Sequence, residues 1–195
     1  MATVYTDGSR LDGPSSLLAR LGWAFVVLDN QGMVVAAAAG VPPPWIDSIP
    51  GAEAWAILQA ITRCGATVRI VSDCKPCVDF IKAGERVATA ASRPLARVFR
   101  LIFQVLPHDW SPTLIDWMPS HMSTDCIGSV RTINGHPLTV VDIEANALAD
   151  SFAKYAVHEH RAPEDVREFV QEHNERVRLT AIWIANAAYL VPTTR

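Results

Sequence analysis

The chain predicts an α/β fold built around a hairpin-rich sheet, with elements in the order βββαβααβα and one further helix behind them. Three observations carry that expectation. Asp29-Asn30-Gln31-Gly32 is a hairpin signal between two apolar runs. A short apolar run at 68–71 lies between two helical stretches. Half of the 195 residues are hydrophobic and only 19% are charged, enough for one domain with a sizeable core.

Residues 3–5 read as a strand, followed by strands at 21–28 and 33–39. The proline-rich stretch 42–50 excludes helix and central strand. Residues 51–64 read as a helix that ends before Gly65, 68–71 as a short buried strand, and 76–83 as a second helix. Ser92 is placed to cap a helix with Pro94 in its first turn, running to Leu106. A fifth strand is expected at 113–118. Residues 122–141 carry Gly, Ser, Thr and Asn without a period and read as a long, mobile loop beside the site. Residues 143–158 are helical, and Pro163 starts a last helix to 187 that is expected to pack on the domain or touch a partner.

The net charge of -3 offers no whole-chain attraction for nucleic acid, so any such role must rest on local charge. Cys64, Cys74, Cys77 and Cys126 lack zinc-pair spacing and are too few for a disulfide scaffold. They point to a reducing compartment, cytoplasmic or nuclear. No signal peptide is read, and the apolar stretch 179–191 is too short and too polar to span a bilayer, so no membrane partner is expected. A start directly on a strand reads as a segment cut from a longer polyprotein.

Four acidic residues stand where elements change. Asp7 closes one apolar run and Asp73 another, while Glu53 opens a helix and Asp150 lies inside one. Each has an ordinary explanation: Asp7-Gly8 is a common turn, Ser72-Asp73 is helix-capping chemistry, and Asp150 can pair with Lys154. Glu53 is harder to explain so. Its helical face continues through Ile57, Ala60, Ile61 and Cys64, and a carboxylate on an apolar stripe needs a partner. Together the four supply oxygen ligands for a hard divalent cation.

Thr6-Asp7-Gly8-Ser9, a Gly22-Trp23-Ala24 strand, Ala52-Glu53 and Ser72-Asp73 follow one another in an order that resembles ribonuclease H. Asp116-Trp117-Met118-Pro119-Ser120-His121 resembles that family's strand ending in a histidine, and Asn146-Ala147-Leu148-Ala149-Asp150 its helix bearing the last aspartate. The resemblance covers about residues 2–157. It implies a five-stranded mixed sheet flanked by helices over 1–160, with 161–195 as a helical extension. It also implies hydrolysis of the RNA strand of an RNA–DNA hybrid with two Mg²⁺ ions, Mn²⁺ as substitute, and a reverse transcriptase or other polyprotein domain as partner. Asp7, Glu53, Asp73 and Asp150 match the family's metal-binding carboxylates, and His121 its mobile histidine. The stretch between His121 and Asp150 is longer than in compact members, and Ser48-Ile49-Pro50-Gly51 replaces an asparagine-rich segment before Glu53.

Nucleic-acid contacts are expected from Ser9 and Arg10 beside Asp7, from Asn146 one turn before Asp150, and from Arg93, Arg97 and Arg100. The three arginines recur at i, i+4 and i+7, one basic face on the 92–106 helix. Two other functions compete. Cys74-Lys75-Pro76-Cys77 between a strand and a helix has the form of a thiol–disulfide redox motif. A ribonuclease H-like module that only binds or connects is the other, and the presence of all four carboxylates argues against it.

Overall fold

Asp29 makes the first hairpin as its position predicts. Its carboxylate accepts from the Gln31 and Met33 N–H groups at 2.8 and 2.9 Å, turning β2 (Arg20–Leu28) into β3 (Val34–Gly40). The computed structural model describes residues 2–13, 15 and 17–190. β1 (Thr3–Leu11) pairs antiparallel with β2 on one side and parallel with β4 (Arg69–Ser72) on the other. β5 (Ile115–Trp117) adds parallel to β4, so the sheet is mixed and runs β3-β2-β1-β4-β5.

Strand alternation sends each side chain to one of two cores. Val4, Trp23, Phe25 and Ile70 meet α1 (Ile49–Cys64), α2 (Lys75–Ala83) and α4 (Ala96–Val105) on one face. Tyr5, Val26, Leu28 and Val71 meet α5 (Val140–Glu159) on the other. Phe99, Ile57, Ile102 and Ile115 are fully buried, each stabilising the fold by roughly 1.5–3 kcal/mol relative to exposure. Gly22 is required for the second face: a Cβ there would fall 2.4 Å from the Ala153 carbonyl oxygen, so α5 lies directly on β2.

Several expected boundaries move, each for a local reason. β1 runs on to Leu11 because β2 continues to pair with it after β4 has stopped. α1 begins at Ile49, two residues early, since Pro50 needs no N–H in a first turn. The 92–106 helix begins only at Ala96: Ser92 does not cap it, and Pro94 disfavours helical backbone at Arg93. A short α3 (Glu85–Ala88) precedes it. β5 starts late because Ser111 caps a helical turn, Pro112–Leu114, just before it. α5 starts early, at Val140, because Thr139 and Asp142 form a reciprocal capping box.

The stretch expected to be a loop without regular structure carries hydrogen bonds of its own. Leu138 N–H donates to Val130 and Thr132 N–H to His136, closing a small hairpin around Asn134-Gly135. Asn134 then clips it to β5 by donating to the Thr113 and Ile115 carbonyls. The last helix, α6 (Glu164–Leu190), does not pack on the domain: none of its residues is buried. Val166, Val170, Val177, Ala181 and Ile184 recur at helical spacing, so they share one side of α6. Arg161 ties its approach to the domain by an ion pair with Asp12 at 2.6 Å. No helix among the described residues is long and apolar enough to cross a membrane.

Candidate metal centre

Parallel pairing of β1 and β4 ends at Thr6 and Ser72, so Asp7 and Asp73 follow the last paired residues of adjacent strands. Asp7 is therefore not at the end of its strand but inside β1, opposite Ala24. Gly8 brings in the third carboxylate. A Cβ there would fall 2.6 Å from the Glu53 nitrogen, so only glycine lets the first turn of α1 rest on β1. One ligand oxygen each from Asp7, Glu53 and Asp73 lies within 4.8 Å of the others.

Burial makes this cluster electrostatically costly. Asp7 and Glu53 are only 6% and 5% exposed. Asp7 Oδ2 and Glu53 Oε2 are buried with no hydrogen-bond partner among the described residues. Desolvation, then the charges of Asp73 and Asp150, push the Asp7 carboxyl up to about 8. Glu53 is raised well above the usual carboxylate range by its burial and then by Asp7 and Asp73. Burial also raises Asp73, against an Asn146 hydrogen bond and the nearby His121. Such a group must take up protons or a cation. The unpartnered inward oxygens fit a hard divalent ion, which takes oxygen ligands.

The three carboxylates line a cavity of about 340 Å³ together with Cys74, Ser120, His121, Asn146 and Asp150. Asp150, expected as a fourth ligand, is outside the tight group. Its carboxylate is held by Lys154 at 2.7 Å, one helical turn on. His121 stands at the cavity after β5 with a left-handed backbone, φ 52°. Asn146 lines the cavity, and its amide donates to Asp73 Oδ2 at 3.2 Å. Its own Oδ1 is buried without a partner among the described residues.

The remaining expected contacts are dispersed. Ser9 and Arg10 lie further along β1 and do not line the acidic cavity. Arg10 lines a different one, with Arg20 and Pro42 to Pro44. Arg93 falls in the turn before α4, so only Arg97 and Arg100 share the helix. Arg93 lies over the Phe80 ring at 4.8 Å and Arg97 over Trp45 at 4.0 Å, while all three remain exposed.

Sequence reasoning missed Trp117, whose indole N–H donates to the Asp73 carbonyl at 2.9 Å and fixes that strand end. Its register opposite Ser72 is a long-range fact with no local signal. Cys74 also lines the cavity, beside the carboxylates, and its hydrogen bond with Cys77 lowers its thiol pKa. Cys74 is thus part of the acidic site's wall, and Cys77 lies buried behind it against Pro50 of α1.

No family model matches the sequence, and no curated protein matches it. Solved structures do resemble it. LC11-RNase H1, solved in complex with an RNA/DNA hybrid, is 16% identical with a TM-score of 0.54, over 82% of this chain and 99% of that one. The prototype foamy virus protease–reverse transcriptase is 17% identical with a TM-score of 0.59, over 80% of this chain. The match spans only 20% of that viral protein. The N-terminal RNase H domain of a Mycobacterium tuberculosis protein is 16% identical with a TM-score of 0.51, over 81% of this chain and 94% of that one. The chain has the ribonuclease H-like fold: a five-stranded mixed sheet flanked by helices, with an added C-terminal helix.

Proposed function

We propose that this domain is a divalent-metal-dependent nuclease that hydrolyses the RNA strand of an RNA–DNA hybrid. One observation carries the reading: Asp7, Glu53 and Asp73 converge within 4.8 Å while two of their buried oxygens have no partner among the described residues. Asp7, Glu53 and Asp73 hold the cation, and Asn146 and Trp117 hold Asp73 in place from its side chain and its backbone. Asp150 joins them by giving up Lys154, which an incoming cation would displace. When bound, two Mg²⁺ or Mn²⁺ ions supply positive charge to the attacking water, the phosphate and the leaving oxygen. His121, at the cavity's edge, moves a proton at the leaving oxygen, a task suited to imidazole near neutral pH.

The hybrid substrate is supported by the LC11-RNase H1 structure, whose ligand is an RNA/DNA hybrid. Work beside a reverse transcriptase or another polyprotein domain belongs to the same proposal, supported by the foamy virus likeness. Labelled RNA–DNA hybrid, duplex RNA and duplex DNA, each with Mg²⁺, Mn²⁺ or chelator, test it. Cleavage of the hybrid's RNA strand that chelator abolishes is the expected result. Hybrid binding without cleavage under any metal would instead show a module that only binds or connects.

A further inference from the structure

The proposed hydrolysis makes no use of Cys74 or Cys77, yet both stand against its machinery. Cys74 follows Asp73 directly, lines the acidic cavity, and precedes α2 with its N–H donated to Ser72 Oγ at 3.2 Å. Cys77 lies one turn further on and is 1% exposed. Its thiol donates to the Pro50 carbonyl at 3.3 Å, three residues before Glu53 in α1. The two sulfurs are 3.3 Å apart. One thiol is thus reachable from the cavity and the other waits behind it, and together they link the elements that carry Asp73 and Glu53. A disulfide bond of about 2.05 Å would require the sulfurs to close by about 1.2 Å.

We propose that Cys74 and Cys77 form a reversible disulfide, with a small peroxide as oxidant, and that closing it weakens cation binding by Asp7, Glu53 and Asp73. This rests on the reading of the acidic centre as a metal site. In the first step the Cys74 sulfur attacks one peroxide oxygen. The O–O bond breaks, a water leaves, and Cys74 becomes a sulfenic acid. In the second step the Cys77 sulfur attacks the Cys74 sulfur. The S–S bond forms, the S–O bond breaks, and the oxygen departs as water with the Cys77 proton. Two thiols have lost two electrons and two protons, and hydrogen peroxide has been reduced to two waters. A dithiol reductant reverses the bond by thiol–disulfide exchange. Closure removes the Cys77 donor from the Pro50 carbonyl and draws Cys74 toward α2. Both changes act on the backbone beside a cation ligand.

The test uses the full chain carrying Cys64→Ser and Cys126→Ser, so that the pair accounts for every thiol. Equimolar hydrogen peroxide should remove both thiols with a mass loss of two hydrogens, and a dithiol should restore them. Calorimetric titration with Mn²⁺ should show affinity lowered about tenfold or more in the oxidised protein, the scale for disturbing a ligand's support, and recovered on reduction. Adding Cys77→Ser should leave Cys74 as a trappable sulfenic acid with no disulfide. Two thiols that persist, or a bond between two molecules, would overturn the disulfide. A clean disulfide with unchanged Mn²⁺ affinity would overturn its control of the site. Reduced protein that binds no Mn²⁺ would remove the metal reading and this proposal with it, a result that the thiol count keeps distinct from failure of the pair.

Discussion

Two sets of buried carboxylates sit in the same domain, and they have opposite fates. Asp116 is 0% exposed, yet its carboxylate is fully engaged: Arg69 at 2.8 Å, and the N–H groups of Trp117 and Asn134 at 3.0 Å each. Asp142 accepts the Tyr5 hydroxyl at 2.6 Å and the Thr139 N–H at 2.9 Å. Asp7 and Glu53 are comparably buried but keep oxygens with no partner among the described residues, and like charges surround them. Burial alone therefore does not mark a site. The first set is stitched into the fold by hydrogen bonds, and the second holds acceptor capacity that only a proton or a cation can use.

The contrast is broken most directly at Asp73. Asp73→Asn keeps the shape and the Trp117 bond to its carbonyl but removes a cation-holding charge. Hybrid cleavage should fall by about a thousand-fold or more, corresponding to several kcal/mol of lost charge stabilisation. Thermal unfolding should occur at an unchanged or higher temperature, because a like charge has left the cluster. Near-normal Mg²⁺-dependent turnover in this variant would end the assignment.

Asp116→Ala should do the reverse. It strips Arg69 of its partner and leaves the Trp117 and Asn134 N–H groups without an acceptor, costing about 3 kcal/mol of stability. Mn²⁺ affinity of the folded fraction should stay within about twofold, since Asp116 is no part of the acidic cluster. Equal stability in denaturant would show that its bonds contribute little.

Metal-free protein should also respond to pH in a particular direction. The Asp7 carboxyl titrates at about 8 when folded against 3.8 for a free aspartate side chain, so the folded state holds the proton more tightly. Its stabilising contribution is complete below about pH 4 and is lost as pH rises through about 8, a loss on the order of a few kcal/mol. Mg²⁺ should offset that loss increasingly as pH rises, because the cation and the protons compete for the same oxygens. Metal-free stability that instead rises between about pH 5 and 8 would contradict the raised carboxyls.

The smallest effect is expected furthest from the cluster. Reversing the charge of Arg93, Arg97 and Arg100 together should weaken hybrid binding with cleavage chemistry intact. The log–log salt slope should fall by about 0.9 for each phosphate that is no longer neutralised. Two of these guanidiniums lie over aromatic rings, so an unaltered slope would assign them to packing on Phe80 and Trp45 instead.

Much of the framework was readable residue by residue. The turn at Asp29, the proline-rich break before α1, the strand carrying Asp7 and the strand that ends just before Asp73 all obey local rules. Other local signals went unread although they were present. Asn134-Gly135 is a hairpin turn hidden in what looked like a loose loop, and Thr139-Val140-Val141-Asp142 is a capping box with aspartate in the usual glutamate place. Pro94 placed after Arg93 argued against a helix there, and one basic helical face was expected where the chain still turns.

What the sequence by itself determined was the chemistry on each element: carboxylates beside a strand end, at a helix start and within a later helix, and two thiols three residues apart. These follow from periods of two and 3.6 residues and from turn residues, all of which act over a few positions. Only the tertiary structure decided which carboxylates kept free oxygens. Docking of α1 against Gly8 placed Glu53 beside Asp7, and docking of α5 turned Asn146 onto Asp73. Those outcomes depend on strand register and helix contacts between residues far apart in the chain. No local pattern encodes them, because each is settled by what the second element buries when it meets the first.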